Sequence, residues 1–164
     1  MKSIFRLSIP VVLVVALAGC HQGPNASTTT QDETGNGIAM VAGELQMESV
    51  TIVAGKQGKL GALSAVVVNT GSAADRLDSI FIGDKPARLD PDGIEIGPQS
   101  SVAIATGREL SAQAPLGSAK PGEFVEVTFQ FANSGSATEQ VLIVPPVGYY
   151  ETVAPKAPTA SPQE

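Results

Sequence analysis

One cysteine, one histidine and three methionines are the side chains in this sequence best suited to nucleophilic or metal chemistry. Cys20 has no second cysteine to pair with, so a disulfide within the chain is impossible. A catalytic triad needs a histidine held in a packed site, whereas His21 lies in a polar stretch. One histidine and one cysteine are also too few for an ordinary zinc site. We therefore expect no enzyme activity and no catalytic residue.

The Cys20 thiol stands at the end of a leader. Lys2 and Arg6 give a positive start, and residues 9–17 are apolar but shorter than the roughly 20 residues of a spanning helix. This pattern is typical of a secretory signal. Residues 17–20 read Leu-Ala-Gly-Cys and resemble the lipobox of bacterial lipoproteins. The resemblance implies that residues 1–19 are a lipoprotein signal peptide and that diacylglycerol is attached to Cys20.

A diacylglyceryl group on Cys20 would make the membrane the first partner of this protein. Each buried CH₂ contributes about 0.8 kcal/mol, and two acyl chains such as palmitate suffice for stable anchoring. We therefore expect a lipid-anchored protein on the extracytoplasmic face of a cell membrane. The Ala- and Gly-rich composition favours the outer leaflet of a Gram-positive cytoplasmic membrane.

Composition and charge limit the function of the chain beyond the leader. Removing 19 of 164 residues leaves 145, with 8 basic and 16 acidic side chains and a net charge of about −8. Nucleic acid is therefore excluded as a partner. Residues 20–37 are polar and rich in Gly, Ser and Thr, which predicts a flexible stalk. Residues 148–164 are rich in Pro and Ala, which predicts a disordered tail.

The segment between stalk and tail, residues 38–147, has the pattern of an all-β domain. Residues 124–132 alternate between polar and apolar side chains, as in a half-buried strand. Residues 133–136 predict a hairpin turn, and a change of face near Glu48 predicts a bulge. The further predicted strands are 45–53, 63–69, 77–82, 94–96, 102–105 and 139–144. About seven short strands favour a cupredoxin- or immunoglobulin-like β-sandwich.

Three stretches in this order resemble the PCu(A)C copper-chaperone domain family. They are GALSAVVVNTGSAADRLDSI (61–80), DGIEIGPQSSVAI (92–104) and APLGSAKPGEFVEVTFQFANSGSATEQVLIVPP (114–146). The resemblance implies a cupredoxin-like sandwich that holds and delivers Cu(I) outside the cytoplasm. It also implies His and Met ligands in the loop after the D-R-L strand and just before the P-L turn, since soft ligands suit Cu(I).

The sequence departs from the family at these ligand positions. The loop after Ile80 and the stretch before Ala114 contain neither His nor Met. The remaining candidates are His21 in the stalk, Met40 before the first predicted strand, and Met47 on the apolar phase of a strand. We therefore expect no metal site and no cofactor. Copper bound by His21, Met40 and Met47 is the alternative.

Two further groups of charged residues have both a functional and an ordinary interpretation. The acidic residues are Asp84, Asp90, Asp92 and Glu95. They faintly resemble a calcium loop, but acidic residues are common in turns, and the turn interpretation is favoured. The basic residues are Lys85, Arg88 and Arg108. They form either a patch that recognises a partner protein or an anionic group, or a solvated rim, which is favoured.

These observations predict a membrane-anchored extracytoplasmic lipoprotein with a copper-chaperone-like β-sandwich. Its predicted role is non-enzymatic binding or assembly through contacts with an extracytoplasmic protein. One alternative is a genuine Cu(I) metallochaperone with an unconventional site. The other is a structural cell-envelope lipoprotein whose tail interacts with the cell wall.

Overall fold

Short stretches of alternating side chains form strands throughout residues 37–155, which are the residues that this computed structural model describes. In chain order the strands are β1 (Ile38–Ala42), β2 (Leu45–Ala54), β3 (Leu60–Asn69), β4 (Asp75–Ile82), β5 (Lys85–Pro86), β6 (Arg88–Asp90), β7 (Ile94–Ile96), β8 (Ser100–Ile104), β9 (Ser111–Pro115), β10 (Phe124–Phe131) and β11 (Gly135–Val144). A short 3-10 helix, Gly148–Glu151, follows β11. No helix in this range is long and apolar enough to span a membrane.

The strands form one continuous hydrogen-bonded path that folds into two layers. Its order is β5-β4-β10-β11-β2-β3-β9-β6, while β1, β7 and β8 pair with β2, β4 and β3. Strand β11 joins the layers, since it pairs antiparallel with β10 and parallel with β2. Every other pairing between these named strands is antiparallel. The predicted all-β sandwich is confirmed, with eleven strands where about seven were predicted.

The four unpredicted strands lack a periodic apolar signal. Strands β5 and β6 have two and three residues, and β9 reads Ser-Ala-Gln-Ala-Pro, with no β-branched or aromatic side chain. Strand β1 is a strand because it forms a hairpin with β2. Strand β9 is held between β3 and β6, so its partners and not its own propensity make it a strand.

Where the alternation is complete, the prediction agrees closely with the structure. In β10, Val127, Phe129 and Phe131 are buried, whereas Glu126 and Gln130 are exposed. The apolar face packs into a core made mainly of aliphatic side chains, as the scarcity of aromatics predicts. The largest fully buried side chains are Phe129, Leu45, Met47, Ile52, Leu63, Leu77, Ile80, Ile82, Ile96, Ile104, Ile143 and Val50.

The predicted bulge in β2 is confirmed. The pairing register with β3 shifts between Glu48 and Thr51, and Ser49 has a φ of 54°. Gly37 lies beside it, so closely that a Cβ at residue 37 would be 2.7 Å from the Ser49 backbone. Before the bulge β2 buries alternate residues, but after it residues 50–54 are all buried. Both faces of β2 are therefore covered at that end.

The cover over the outer face of β2 comes from residues 148–155, the start of the predicted tail. Val153 and Ala154 are buried with Val53, Ala105 and Val144 in a second, small cluster. The sequence prediction of disorder therefore needs correction for these residues. Their composition is that of a linker, but two small apolar side chains fit an apolar patch on the sheet. Residues 156–164 lie outside the described range, as do the predicted signal peptide, Cys20, His21 and all of the predicted stalk but Gly37.

Candidate functional site

Asn69, from the first stretch that resembles the PCu(A)C family, is buried at the end of β3. Its Nδ2 donates hydrogen bonds to the carbonyl oxygens of Ala73 at 2.8 Å and Ile96 at 3.2 Å. The Gly71 N–H donates to its Oδ1 at 2.9 Å. The side chain therefore ties the loop after β3 to β7. Its hydrogen bonds make it a positioning group for the backbone.

Asp75, the first residue of the D-R-L element, is also buried. Its Oδ1 accepts hydrogen bonds from the backbone N–H groups of Arg76 at 2.7 Å and Asn133 at 3.0 Å, and from Asn133 Nδ2 at 3.1 Å. Its Oδ2 accepts one from the Ser134 N–H at 2.9 Å. Asn69 and Asp75 together form what we call the polar clamp, which fixes the hairpin turn between β10 and β11 and the loops beside it.

The hydrogen bonds to Asp75 decide its ionisation. Burial alone would raise the pKa of this carboxyl. The hydrogen bonds from Ser134, Arg76 and Asn133 stabilise the carboxylate and outweigh burial, so the pKa of Asp75 lies below its ordinary value. Asp75 is therefore charged at neutral pH, and each of its two oxygens already accepts at least one hydrogen bond from the protein.

The two segments to which the resemblance assigns copper ligands do meet in the structure. Strand β6, from the loop after β4, pairs with β9, which precedes the turn at Leu116. Arg88 lies opposite Gln113, and Asp90 lies opposite Ser111. A cleft of about 350 Å³ opens beside this pair. We call it the polar cleft, and it is lined by Leu60, Pro86, Arg88, Asp90, Ser111, Gln113, Ala114 and Pro115.

The three basic residues expected near this position have different surroundings. Lys85 makes a salt bridge with Asp84 at 2.7 Å, and this lysine lowers the pKa of Asp84. Arg88 lines the polar cleft. Arg108 lies in the turn before β9, beyond the Asp90 end of the short β6–β9 ladder. Arg88 and Arg108 thus lie at opposite ends of that ladder, and of these two arginines only Arg88 lines the cleft.

Of the candidate metal ligands, the structure describes Met40 and Met47, and both are core residues. Met40 and Met47 lie opposite each other in the β1–β2 hairpin, but both are packed into the core, with exposed fractions of 3% and 0%. Both methionines therefore serve as apolar side chains of the core. Between residues 37 and 155 no group of three or more His, Cys, Asp or Glu side chains could hold a metal ion. Asp84, Asp90, Asp92 and Glu95 are exposed residues of turns and short strands.

A second cleft, of about 470 Å³, has no signal in the sequence. It lies between the β2–β3 turn and the C-terminal segment, and its walls include Lys56, Lys59, Glu151 and Pro155. It exists because residues 148–155 pack on the sheet, and nothing in their composition indicates this. Sequence reasoning could not place two segments so far apart in the chain at one cleft.

Comparison with solved structures gives the fold a name. A copper-bound PCuAC domain from PmoF2 matches with a TM-score of 0.60 and 23% identity, over 66% of this chain and 98% of that chain. An apo PmoF2 PCuAC domain matches with a TM-score of 0.57 and 21% identity, over 67% and 97%. This chain has a PCuAC-like fold. The resemblance read from the sequence is thereby confirmed at the level of fold.

A third structure agrees with these two. An apo PCuAC domain from PmoF1 matches with a TM-score of 0.59 and 19% identity, over 66% of this chain and 99% of that chain. No family model and no curated protein matches. Because the identities are below 25%, these matches establish the fold alone. Which ligand the domain binds has to be inferred from its own residues.

Proposed function

We propose that this protein is a lipid-anchored extracytoplasmic factor whose PCuAC-like domain binds or assembles a partner protein. In this proposal it is not an enzyme and carries no copper site of its own. The main support comes from the polar cleft. The segments that hold the ligands according to the resemblance come together here, but they present Arg88, Asp90, Ser111 and Gln113. Guanidinium, carboxylate, hydroxyl and amide groups are suited to hydrogen bonds with a protein surface.

Crosslinking in intact cells tests the partner. A photoreactive amino acid in place of Gln113, which lines the polar cleft, should give a discrete protein adduct. Gln140 is the matched control, because it is an exposed glutamine on β11 opposite Glu126. Equal adducts from both positions, or adducts only with cell-wall polymer, would contradict a partner at the cleft. The wall-polymer result would favour the structural envelope alternative.

Lipidation is tested by the mass of the native protein. The leader pattern and the Leu-Ala-Gly-Cys element support a chain that starts at Cys20 and carries diacylglycerol on its sulfur. The Cys20→Ser variant should leave the membrane fraction and appear in a soluble extracytoplasmic fraction. An unmodified Cys20 in the native protein would remove the anchor from the proposal.

The copper-bound PmoF2 neighbour keeps one alternative open, a Cu(I) metallochaperone with an unconventional site. A Cu(I) titration of the mature lipoprotein separates it from the main proposal. We expect no sub-micromolar binding, because Met40 and Met47 are sealed in the core. Tight binding that disappears in a His21→Ala variant would establish the alternative.

A further inference from the structure

All four lysines between residues 37 and 155 lie in turns and loops, or directly next to one, at one end of the sandwich. Lys56 and Lys59 lie in the turn between β2 and β3, Lys85 begins β5, and Lys120 lies in the loop before β10. Strand pairing brings these turns together, since Val144 is opposite Val53, Ile82 is opposite Val127, and the Leu116 N–H binds the Lys59 carbonyl oxygen. We call residues 55–59, 83–85, 116–124 and 145–151 the lysine end.

The lysine end differs in charge from the rest of the described domain. It holds the four lysines and three acidic residues, Asp84, Glu123 and Glu151. One of these, Asp84, is in a salt bridge with Lys85. The other described residues carry three arginines against ten acidic side chains. An anionic surface would therefore be attracted to the lysine end and repelled elsewhere.

Large apolar side chains are exposed at this same end. Phe124, Val147 and Tyr149 have exposed fractions of 62%, 58% and 73%. Phe124 lies opposite Leu142, and both Leu142 and Tyr150 pack against the small cluster that contains Val153 and Ala154. The Tyr149 and Tyr150 rings are 5.6 Å apart in an edge-to-face arrangement. Exposed aromatic side chains beside lysines are the combination that favours a lipid–water interface.

We propose that the lysine end docks on the anionic headgroups of the membrane surface, with Phe124, Val147 and Tyr149 at the level of the headgroups. Lysines near an anionic leaflet are attracted electrostatically. Phenyl and phenol rings bury apolar area at the interface, while the tyrosine hydroxyl remains hydrated. The acidic remainder of the domain then points away from the bilayer.

The predicted anchor allows this orientation, and on this point the inference rests on the proposed lipidation of Cys20. Gly37 enters the fold beside Ser49. From Ser49, strand β2 runs five residues to Ala54, a distance of about 17 Å. The 17 residues from Cys20 to Gly37, predicted as coil, reach about 20–25 Å. The lysine end can therefore touch the surface that holds the lipid.

Tryptophan reporters test the proposal, because the chain contains no tryptophan. The lipidated protein would carry Phe124→Trp or Tyr149→Trp, and Val41→Trp would be the matched control. Val41 is 64% exposed and lies in β1 opposite Gln46, at the end of the β1–β2 hairpin that is far from the lysine end. Each variant is reconstituted into vesicles of equal parts phosphatidylglycerol and phosphatidylcholine, with brominated acyl chains as quencher, and into vesicles of phosphatidylcholine alone.

We expect bromine quenching and a blue shift for the reporters at positions 124 and 149 in the anionic vesicles, little in phosphatidylcholine, and none for the control. In the Tyr149→Trp background, Lys59→Gln or Lys120→Gln should weaken docking about fivefold each, and Arg76→Gln should leave it unchanged. Flotation of the protein with the vesicles reports the anchor separately. Flotation with no quenching at either lysine-end reporter, or equal quenching at position 41, would overturn the docking proposal while leaving the anchor intact.

Discussion

The polar clamp lies in stretches that resemble the PCu(A)C family, whereas most of the polar cleft lies in the segments between those stretches, and the polar groups of the two regions are used differently. In the clamp, Asn69 and Asp75 are buried and every hydrogen bond described for them goes to the protein itself. In the cleft, the exposed Arg88 and the half-buried Gln113 line an open space. The residues that specify this fold are therefore separable from those that would specify a ligand.

The largest effect should come from breaking the clamp. Asp75→Ala removes the acceptor for three backbone N–H groups and the Asn133 amide. We expect the free energy of unfolding to fall by about 2–4 kcal/mol, since buried donors are left without partners. Urea unfolding measures this. Asp78→Ala is the control, because its exposed salt bridge with Arg76 contributes about 0–1 kcal/mol. Equal losses in both variants would refute the clamp.

The clamp also predicts how stability depends on pH. The pKa of Asp75 is lower in the folded chain than in the unfolded chain. Its stabilising contribution is therefore present above the unfolded value of about 4, and it is lost as the pH falls through the folded value. The free energy of unfolding should drop more steeply below about pH 4 in the wild type than in Asp75→Asn. Parallel curves would show that another carboxyl controls acid unfolding.

A smaller effect is expected from the core methionines. Met40→Leu and Met47→Leu keep the side-chain volume nearly constant, so each should lower the free energy of unfolding by less than about 1.5 kcal/mol. Neither should alter the response of the protein to Cu(I), because both sulfur atoms are packed in the core. A change in Cu(I) affinity in either variant would show that these methionines contribute to a copper site. Residues that specify the fold would then also bind a ligand, which contradicts the separation drawn between clamp and cleft.

The smallest expected effect is a gain, and not a loss, in the free energy of unfolding. The Thr106 hydroxyl, in the turn before β9, is buried and has no hydrogen-bond partner in the described part of the chain. Thr106→Val should leave stability unchanged or raise it by up to about 1 kcal/mol, since an unsatisfied buried hydroxyl is costly. Thr128→Val is the comparison, because Thr128 shares a 2.9 Å hydrogen bond with Thr138 and should lose stability. Thermal unfolding of both variants gives the two signs directly.

The sequence predicted the fold wherever one strand carried its own signal. Strand β10 alternates fully and was placed correctly, and the bulge near Ser49 followed from a change of face. Strand β9 was missed because its small side chains form a strand only between β3 and β6. Local pattern cannot report a structure that distant partners impose.

The candidate site was less predictable for the same reason. The motifs that contain Asn69 and Asp75 were recognised, but the function of these side chains depends on Ile96 and Asn133, which are distant in sequence. The polar cleft combines positions from residue 60 to residue 115. The absence of His and Met at the expected positions was readable directly. The residues at those positions, such as Arg88 and Gln113, are seen to form a cleft only because β6 pairs with β9.

The packing of Val153 and Ala154 over Val53 has a practical consequence for any recombinant version of this protein. A chain shortened after Val147 would uncover Val53 and Ala105, and the bare sheet surface would promote aggregation. Purification tags therefore belong after Pro155. The minimal folding unit extends beyond residue 147, although the composition of residues 148–155 is that of a linker, because its final turn covers an apolar patch on the outside of the sandwich.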